Sequence, residues 1–200
     1  MSMKLYDDAL TNKIKNWIHD TDLTITGPDD TKALFQYRAD INNDNPIQLP
    51  LIAISRGRTL NIENTSKKPT TFDSVVLEAS NKKIITLSQV PISLDYQIDI
   101  YTRYFSECDE YIRNFVFNII NYPKLEVMIP YNNINYLHTS NIRLNNEVND
   151  NSDIPERLIS GQFTRFTLQI TVDDAYMWSV PIRDNLTLET GLEIKLKNEN

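Results

Sequence analysis

The chain has 200 residues, a formal charge of −7 and one cysteine, Cys108. A single cysteine excludes an intramolecular disulfide and a cysteine-based zinc site. Because Lys and Arg supply most non-specific affinity for phosphate, 20 basic against 27 acidic residues disfavour a nucleic-acid-binding protein. The sequence shows neither a signal-peptide pattern nor an apolar run near the roughly 18 residues of a membrane span, so we expect a protein made in the cytoplasm.

The first quarter of the chain predicts one helix followed by short strands. Apolar residues recur at three- and four-residue spacing over residues 5–18, which is typical of an amphipathic helix. A short hairpin is predicted from strands at residues 23–26 and 34–38. A polar loop then covers residues 40–50, and a buried strand is expected at residues 51–55.

The middle of the chain has the clearest periodicity. Strands are predicted at residues 72–78 and 84–87, and ten alternating positions at residues 92–101 indicate a half-buried strand. A second helix follows, with Ser106 as its expected cap, and residues 125–129 alternate again as a strand. The apolar stripe of this helix consists of Cys108, Tyr111, Ile112, Phe115, Val116, Ile119 and Ile120.

The last third combines polar sequence with two further β patterns. Residues 131–161 are predicted to be a long polar loop, although residues 142–148 alternate. A strong strand is expected at residues 166–172, and a C-terminal hairpin at residues 184–197. Strands outnumber helices, and the connections are too short for many parallel crossovers. We therefore predict one α+β domain over residues 1–200, in which a single, mostly antiparallel sheet carries two main helices on one face, with long polar loops.

The residues that often carry catalysis have no supporting partners in the sequence. His19 and His138 are the only histidines, and neither lies in a triad or metal motif. Cys108 is expected to pack as a small hydrophobe. Asp95 and Asp99 are predicted on the wet face of one strand, about 13 Å apart, where they would meet solvent or an arginine of a neighbouring subunit.

Sequence motifs for metal, nucleotide and nucleophile sites are likewise missing. The acidic run at residues 150–153 lacks the glycine and the glutamate of a calcium loop, so a turn is expected there. With only four glycines, phosphate-binding loops are disfavoured. We therefore predict no enzyme activity, no cofactor and no metal, and we expect a function in binding and assembly.

Parts of the sequence resemble bacteriophage tail terminator proteins, also called tail completion or neck proteins. The resemblance is carried by the strand and turn at residues 96–104 and the helix segment at residues 108–112. The segments at residues 153–157, 161–166 and 173–178 are similar to structural proteins of large tailed phages. Residues 4–183 follow the order of elements seen in the family.

The resemblance implies a structural protein of the virion that is assembled in the bacterial cytoplasm. Its subunits would close into a ring, usually sixfold, which ends the tail tube or sheath and contacts head-tail connector proteins. DNA would pass through an acidic lumen without specific binding, and no membrane is involved. Another tail or baseplate adaptor subunit is the alternative, and a small hydrolase or carbohydrate-binding protein is a further one.

The subunit contacts are predicted at turns that carry arginine and aromatic residues, which are enriched at interfaces. Charge reversal at Arg103 is expected to weaken assembly without unfolding the monomer. The terminal segment at residues 186–196 either folds back on its own domain or adds to a sheet edge of a neighbour. The interface candidates are Arg103, Tyr104, Asp173, Asp174, Tyr176 and Trp178.

Overall fold

The computed structural model describes three helices and seven strands. It covers residues 2–18, 20–40, 48–62, 71–78, 81–131, 134–152 and 163–178. In chain order the elements are α1 (Ser2–Trp17), β1 (Thr24–Thr26), α2 (Pro28–Asp40), β2 (Leu51–Ile62), β3 (Thr71–Glu78), β4 (Asn81–Thr102), α3 (Phe105–Asn121), β5 (Lys124–Tyr131), β6 (Ile134–Asp150) and β7 (Thr164–Trp178).

The strands form a curled, mixed sheet in the order β1-β2-β4-β7-β6-β5, and β4 is the only described strand that pairs with β3. β1 runs parallel to β2, whereas the other pairings are antiparallel. The α+β class is confirmed, and the sheet that was predicted to be mostly antiparallel is mixed, because it contains one parallel pair. The parallel pair arises because α2 lies between β1 and β2 and returns the chain in the same direction.

β4 is a single strand of 22 residues, where the sequence predicted two strands at residues 84–87 and 92–101. Its C-terminal half lies between β2 and β7 at the centre of the sheet. Among the described strands, its N-terminal part, from Asn81 to Ser88, pairs with β3 alone. This two-stranded ribbon, here called the arm, continues past the six-stranded part of the sheet by about 26 Å at 3.3 Å per residue.

The main core lies between one face of the sheet and helices α1 and α3. Tyr6, Leu10 and Ile14 of α1 and Phe115 of α3 are fully buried in one apolar cluster with the centre of β4. The four-residue spacing of the α1 residues is the reason that this face of the helix meets the sheet. The predicted packing of these two helices is therefore seen.

α2, a helix that the sequence analysis did not predict, lies on the opposite face of the sheet. Leu34 packs in a second cluster with Leu51, Ala53 and Tyr101. Successive strand residues point to opposite faces, and Ile52 of the same strand belongs to the main core. The sheet is therefore covered on both faces at this end.

The predicted hairpin at residues 23–26 and 34–38 is corrected by α2. Pro28 occupies the first helical position, Asp29 and Asp30 lie in the first turn, and the Thr31 amide donates to the Gly27 carbonyl over 2.7 Å. Proline at the start and acidic residues in the first turn are helix-start signals. The segment that was interpreted as a turn is therefore the beginning of a helix.

The predicted loop at residues 131–161 is corrected by β6, which extends from Ile134 to Asp150. Its inward positions include the polar His138 and Ser140 besides Ile142. Hydropathy alternation is therefore weak, although the alternation of burial is clear. The expected cap of the second helix is also wrong, because α3 begins at Phe105 without a side-chain cap. The predicted hairpin at residues 184–197 lies outside the described residues.

Candidate functional site

A buried acidic side chain connects α1 to the sheet. Asp7 accepts a hydrogen bond of 2.8 Å from the Tyr96 hydroxyl and one of 2.7 Å from Arg56 Nη1. Its side chain is 6% exposed, and that of Arg56 is 34% exposed. Burial raises the pKa of Asp7, against the lowering effects of the Tyr96 hydrogen bond and the Arg56 charge. The position of Asp7 on the core face of α1 allows this contact, which the sequence did not reveal.

A second buried carboxylate, Asp99, lies on the opposite face of β4. Arg165 donates to Asp99 Oδ1 from Nε and Nη2 over 3.2 and 3.1 Å, and Thr167 donates to the same oxygen over 2.6 Å. The Arg165 guanidinium lies 5.3 Å from the Tyr101 ring centroid. The expectation that Asp99 meets solvent or a neighbour's arginine is wrong, because β7 supplies the arginine from the same chain.

A third polar cluster lies at a β-bulge in β7. Ile92 and Leu94 of β4 oppose Ala175 and Val172, which leaves an extra residue on β7, and Asp174 adopts φ 57°. Aspartate tolerates this left-handed conformation better than most residues. The Asp174 carbonyl accepts from the Ser140 hydroxyl over 3.1 Å and lies 2.9 Å from His138 Nε2.

The contact between Ser140 and His138 is the only serine–histidine pair described, at 3.1 Å from Oγ to Nε2. Ser140 is fully buried, so a substrate cannot reach its hydroxyl. The His138 ring packs edge-on against Tyr6 and Tyr176. These contacts join α1, β6 and β7 at the bulge, and they make the pair part of the packing.

Reactive and metal-binding groups give no site within the described residues. No group of three His, Cys, Asp or Glu side chains in this part of the chain could hold a metal ion. Cys108 is buried in the core as predicted, and burial raises the pKa of its thiol to about 12. The predicted turn after Asp150 is present, since its carboxylate accepts from the Ser152 amide. His19 lies outside the described residues.

The predicted interface residues fall into two groups at opposite ends of β7. Arg103 and Tyr104 are exposed between β4 and α3, and Tyr104 is 71% exposed. Neighbouring Thr102 pairs with Thr164, whereas Tyr176 pairs with Pro91, twelve residues further along β7. This separation is about 40 Å in an extended strand.

The group at the bulge already has partners within the chain. Arg143 donates to Asp173 over 3.0 Å, and Asn141 donates to the Asp174 carboxylate over 3.0 Å. Tyr176 is half-buried, and its amide donates to the Tyr6 hydroxyl over 2.9 Å. These residues therefore stabilise the fold of the single subunit. The side chain of Trp178 lies outside what the structure describes.

Large apolar side chains are exposed at the end of α3 and just after it. Phe117 and Ile120 are 63% and 67% exposed, and their three-residue spacing places them on one side of the helix. Tyr122 and Met128 follow at 60% and 53%, and both line a groove between α1 and β5. These four residues are called the α3–β5 surface. The sequence analysis assigned Ile120 to the apolar stripe of this helix, whereas the structure exposes it.

β5 forms the last strand of the described sheet, and one of its edges pairs with none of the described strands. The Ile142 amide donates to the Pro123 carbonyl, and Lys124 is paired with Asn141. In an antiparallel pair, every second residue pair is hydrogen-bonded. Here the hydrogen-bonded pairs are Leu125–Ser140, Val127–His138 and the next alternate pair. The backbone groups of Lys124, Glu126 and Met128 therefore point away from β6, and Pro130 at the next such position has no N–H to offer.

The fold and these features define only a class of protein, an α+β domain. Its polar clusters stabilise the fold, and its exposed surface includes large apolar side chains and a strand edge. A comparison with protein-family models finds no match, and a comparison with curated proteins finds none either. None of the described helices has the length and apolarity needed to cross a membrane.

Proposed function

We propose that this protein is a structural subunit of a tailed-phage virion that assembles into a ring, expected to be hexameric, at the head-proximal end of the tail. The observation that carries the proposal is the α3–β5 surface beside the edge of β5 that pairs with none of the described strands. Scattered exposed apolar residues are ordinary, but Tyr122 and Met128 line one groove beside this edge, and exposed apolar residues at a strand edge are typical of a surface that another chain covers.

The positions of the exposed features favour contacts between unlike surfaces. The α3–β5 surface lies at the β5 end of the sheet, whereas the arm extends from β4, three strands away. A contact between two different surfaces is heterologous, and such contacts generate a ring when the rotation closes. A contact of a surface with itself would stop at a dimer.

The assignment to the tail rests on the resemblance at residues 96–104 and 108–112, where the described structure has the end of β4 followed by α3. The charge of −7 agrees with a channel through which DNA passes without sticking. The ring would end a tube or sheath and contact the connector.

The alternative is another tail or baseplate adaptor subunit, which has the same requirements for assembly.

The native mass of the purified protein tests the proposal. Light scattering over the widest soluble concentration range should give a closed multiple of the 23.2 kDa subunit, near six copies for a terminator ring. A different closed multiple would favour the adaptor position. A mass of one subunit at every concentration would count against self-assembly.

A further inference from the structure

A groove runs between α1 and the edge of β5 that pairs with none of the described strands. Its volume is about 710 Å³. On the α1 side it is lined by Leu5, Ala9, Asn12 and Asn16, whose spacing of three and four residues makes one stripe along about 16 Å of helix. The groove is therefore long enough for about five residues of an extended chain at 3.3 Å per residue.

The two walls of the groove offer different contacts to such a chain. The outward backbone groups of β5 provide the hydrogen bonds by which an extended segment adds to a sheet edge. On the opposite wall, the side-chain amides of Asn12 and Asn16 both donate and accept hydrogen bonds. Leu5 and Ala9 are half-buried against the core and offer apolar contacts to every second side chain of an added strand. The groove therefore suits an extended segment whose apolar residues alternate.

Residues 186–193 have the sequence pattern that fits this groove. Leu186, Leu188 and Leu192 alternate with polar residues, which is typical of a strand with one apolar face. The segment lies outside the described residues, and residues 179–185 connect it to the end of β7. The groove is therefore a candidate site for this segment if the connection is long enough.

The end of β7 lies close enough to the edge of β5 for that connection. The ring of Tyr176 packs against His138 of β6, and His138 pairs with Val127 of β5. A strand added beyond β5 is therefore three strand spacings from β7, or about 14 Å. Residues 179–185 extend over at most about 23 Å. The segment can therefore reach β5 of its own chain or β5 of an adjacent copy.

We propose that residues 186–193 of one copy add, as an antiparallel strand, to the edge of β5 in the next copy. This inference rests on the proposed ring and names one of its contacts. Tyr122 and Met128 belong both to the α3–β5 surface and to the groove. The copy that covers this surface in the proposed ring therefore lies beside the groove, and its segment is the one that occupies it.

Charge selects the register of the added strand. Placing Glu193 opposite Lys124 brings opposite charges together. Shifting the segment by two residues keeps its apolar face inward, but it places Lys195 opposite Lys124 in one direction and Glu189 opposite Glu126 in the other. Like charges directly opposite each other are destabilising. Antiparallel pairing is also slightly more stable per residue than parallel pairing.

Two cysteines in one chain test this contact. In the proposed register Met128 lies opposite Glu189, and the Cα atoms of an opposite hydrogen-bonded pair are about 5.5 Å apart, within the span of a disulfide. After oxidation, the double variant Met128→Cys with Glu189→Cys should therefore give a ladder of covalently linked copies in a denaturing gel. Buried Cys108 stays in place. The matched controls combine Met128→Cys with Glu193→Cys or Lys197→Cys, which lie at least about 13 Å away in this register.

Side-chain substitutions test the same contact without cross-linking. Leu188→Ser with Leu192→Ser should weaken association by at least about tenfold, because the apolar face of the added strand is lost. Thr187→Ser with Glu189→Ser changes the opposite face and should assemble as the wild type does. Sedimentation velocity measures association, and thermal unfolding shows whether the leucine variant destabilises the monomer instead, as expected for a segment that packs on its own chain.

The outcomes separate this contact from the proposed function. Covalent multimers specific to the Glu189→Cys variant, together with weaker association of the leucine variant, would establish the contact. Disulfides confined within single chains, preferential linkage at a control position, or a closed oligomer without any linkage would overturn the inference and leave the ring standing. A wild-type protein that is monomeric at every concentration would reject the ring itself.

Discussion

Asp7 and Asp99 hold their neighbours on opposite faces of the central strand. Each buried carboxylate accepts hydrogen bonds from an arginine and from a hydroxyl group. Removing one member of such a set leaves the others buried without a partner, and that loss costs more than the set contributes when intact. The two residues therefore provide the sharpest tests at the scale of single side chains.

Asp7→Ala should lower the free energy of unfolding at neutral pH by about 2–3 kcal/mol, because the buried Tyr96 hydroxyl loses its acceptor. Asp7→Asn should cost less, since its amide oxygen still accepts that hydrogen bond. Urea unfolding followed by fluorescence measures both. The control is Asp8→Ala at the neighbouring exposed position, which is expected to stay within about 0.5 kcal/mol of wild type.

The pH dependence of Asp7 has a definite sign. Burial raises its folded-state pKa above the model value of 3.8, so the folded state binds this proton more tightly than the unfolded state. Its contribution to stability is complete below pH 3.8 and is lost as the pH rises through the folded pKa. The free energy of unfolding of the wild type should therefore rise relative to that of Asp7→Asn as the pH falls. A difference between the two that does not change with pH would contradict a raised pKa of Asp7.

Asp99→Ala should destabilise the fold by about 3–4 kcal/mol, because Arg165 is left as an uncompensated, largely buried charge. The Arg165 side chain is 13% exposed, so water cannot replace the carboxylate fully. Thermal unfolding with Asp109→Ala as the exposed control measures the effect. Equal stabilities of the two variants would show that the Asp99–Arg165 contact does not contribute to the stability of the fold.

The sequence could not reveal these pairs. Asp99 and Arg165 are 66 positions apart, and their contact depends on the register between β4 and β7, which hydropathy does not encode. The prediction for Cys108 needed only its place on a helical stripe, and it is confirmed. Local periodicity therefore predicts burial, whereas the identity of a partner depends on strand pairing.

At the scale of elements, α1 and the start of α2 pack too closely for a side chain at Gly27. A Cβ built on Gly27 would lie 2.8 Å from Thr11 Oγ1, an oxygen that donates to the Asp7 carbonyl within α1 over 2.7 Å. Glycine is needed here for space, since its neighbour is fixed by this hydrogen bond.

Gly27→Ala should therefore lower stability by about 1–3 kcal/mol, as expected for overpacking. Thr11→Ala removes the colliding oxygen, so the double variant should recover part of that loss. A double-mutant cycle from denaturant unfolding gives the coupling energy. Additive effects of the two substitutions would mean that Gly27 and Thr11 are not in contact.

The elements with strong periodicity were predicted well, namely α1, α3, the centre of β4 and β7. α2 was missed because its Gly-Pro-Asp-Asp start also fits a turn, and its helical positions carry little apolar periodicity. β6 was missed because inward-facing His138 and Ser140 are polar. In both cases tertiary contacts stabilise an element whose local sequence pattern does not predict it.

At the scale of the whole molecule, the exposed residues of the α3–β5 surface provide a test of the proposed association. The double substitution Phe117→Ser with Ile120→Ser should disrupt assembly through lost apolar burial. It should leave the melting temperature of the monomer nearly unchanged, because both side chains are already exposed.

Sedimentation velocity and thermal unfolding measure these two effects separately. Val148→Ser on β6, another exposed apolar position, is the control and should assemble normally. If the α3 variant assembled as wild type does, α3 would lie outside the subunit contact.

Electron microscopy of the assembled protein tests the central claim most directly, because it shows both association and closure. Class averages should show closed rings with a single rotational symmetry, sixfold for a tail terminator. Open filaments, or dimers related by a twofold axis, would contradict a heterologous contact that closes into a ring.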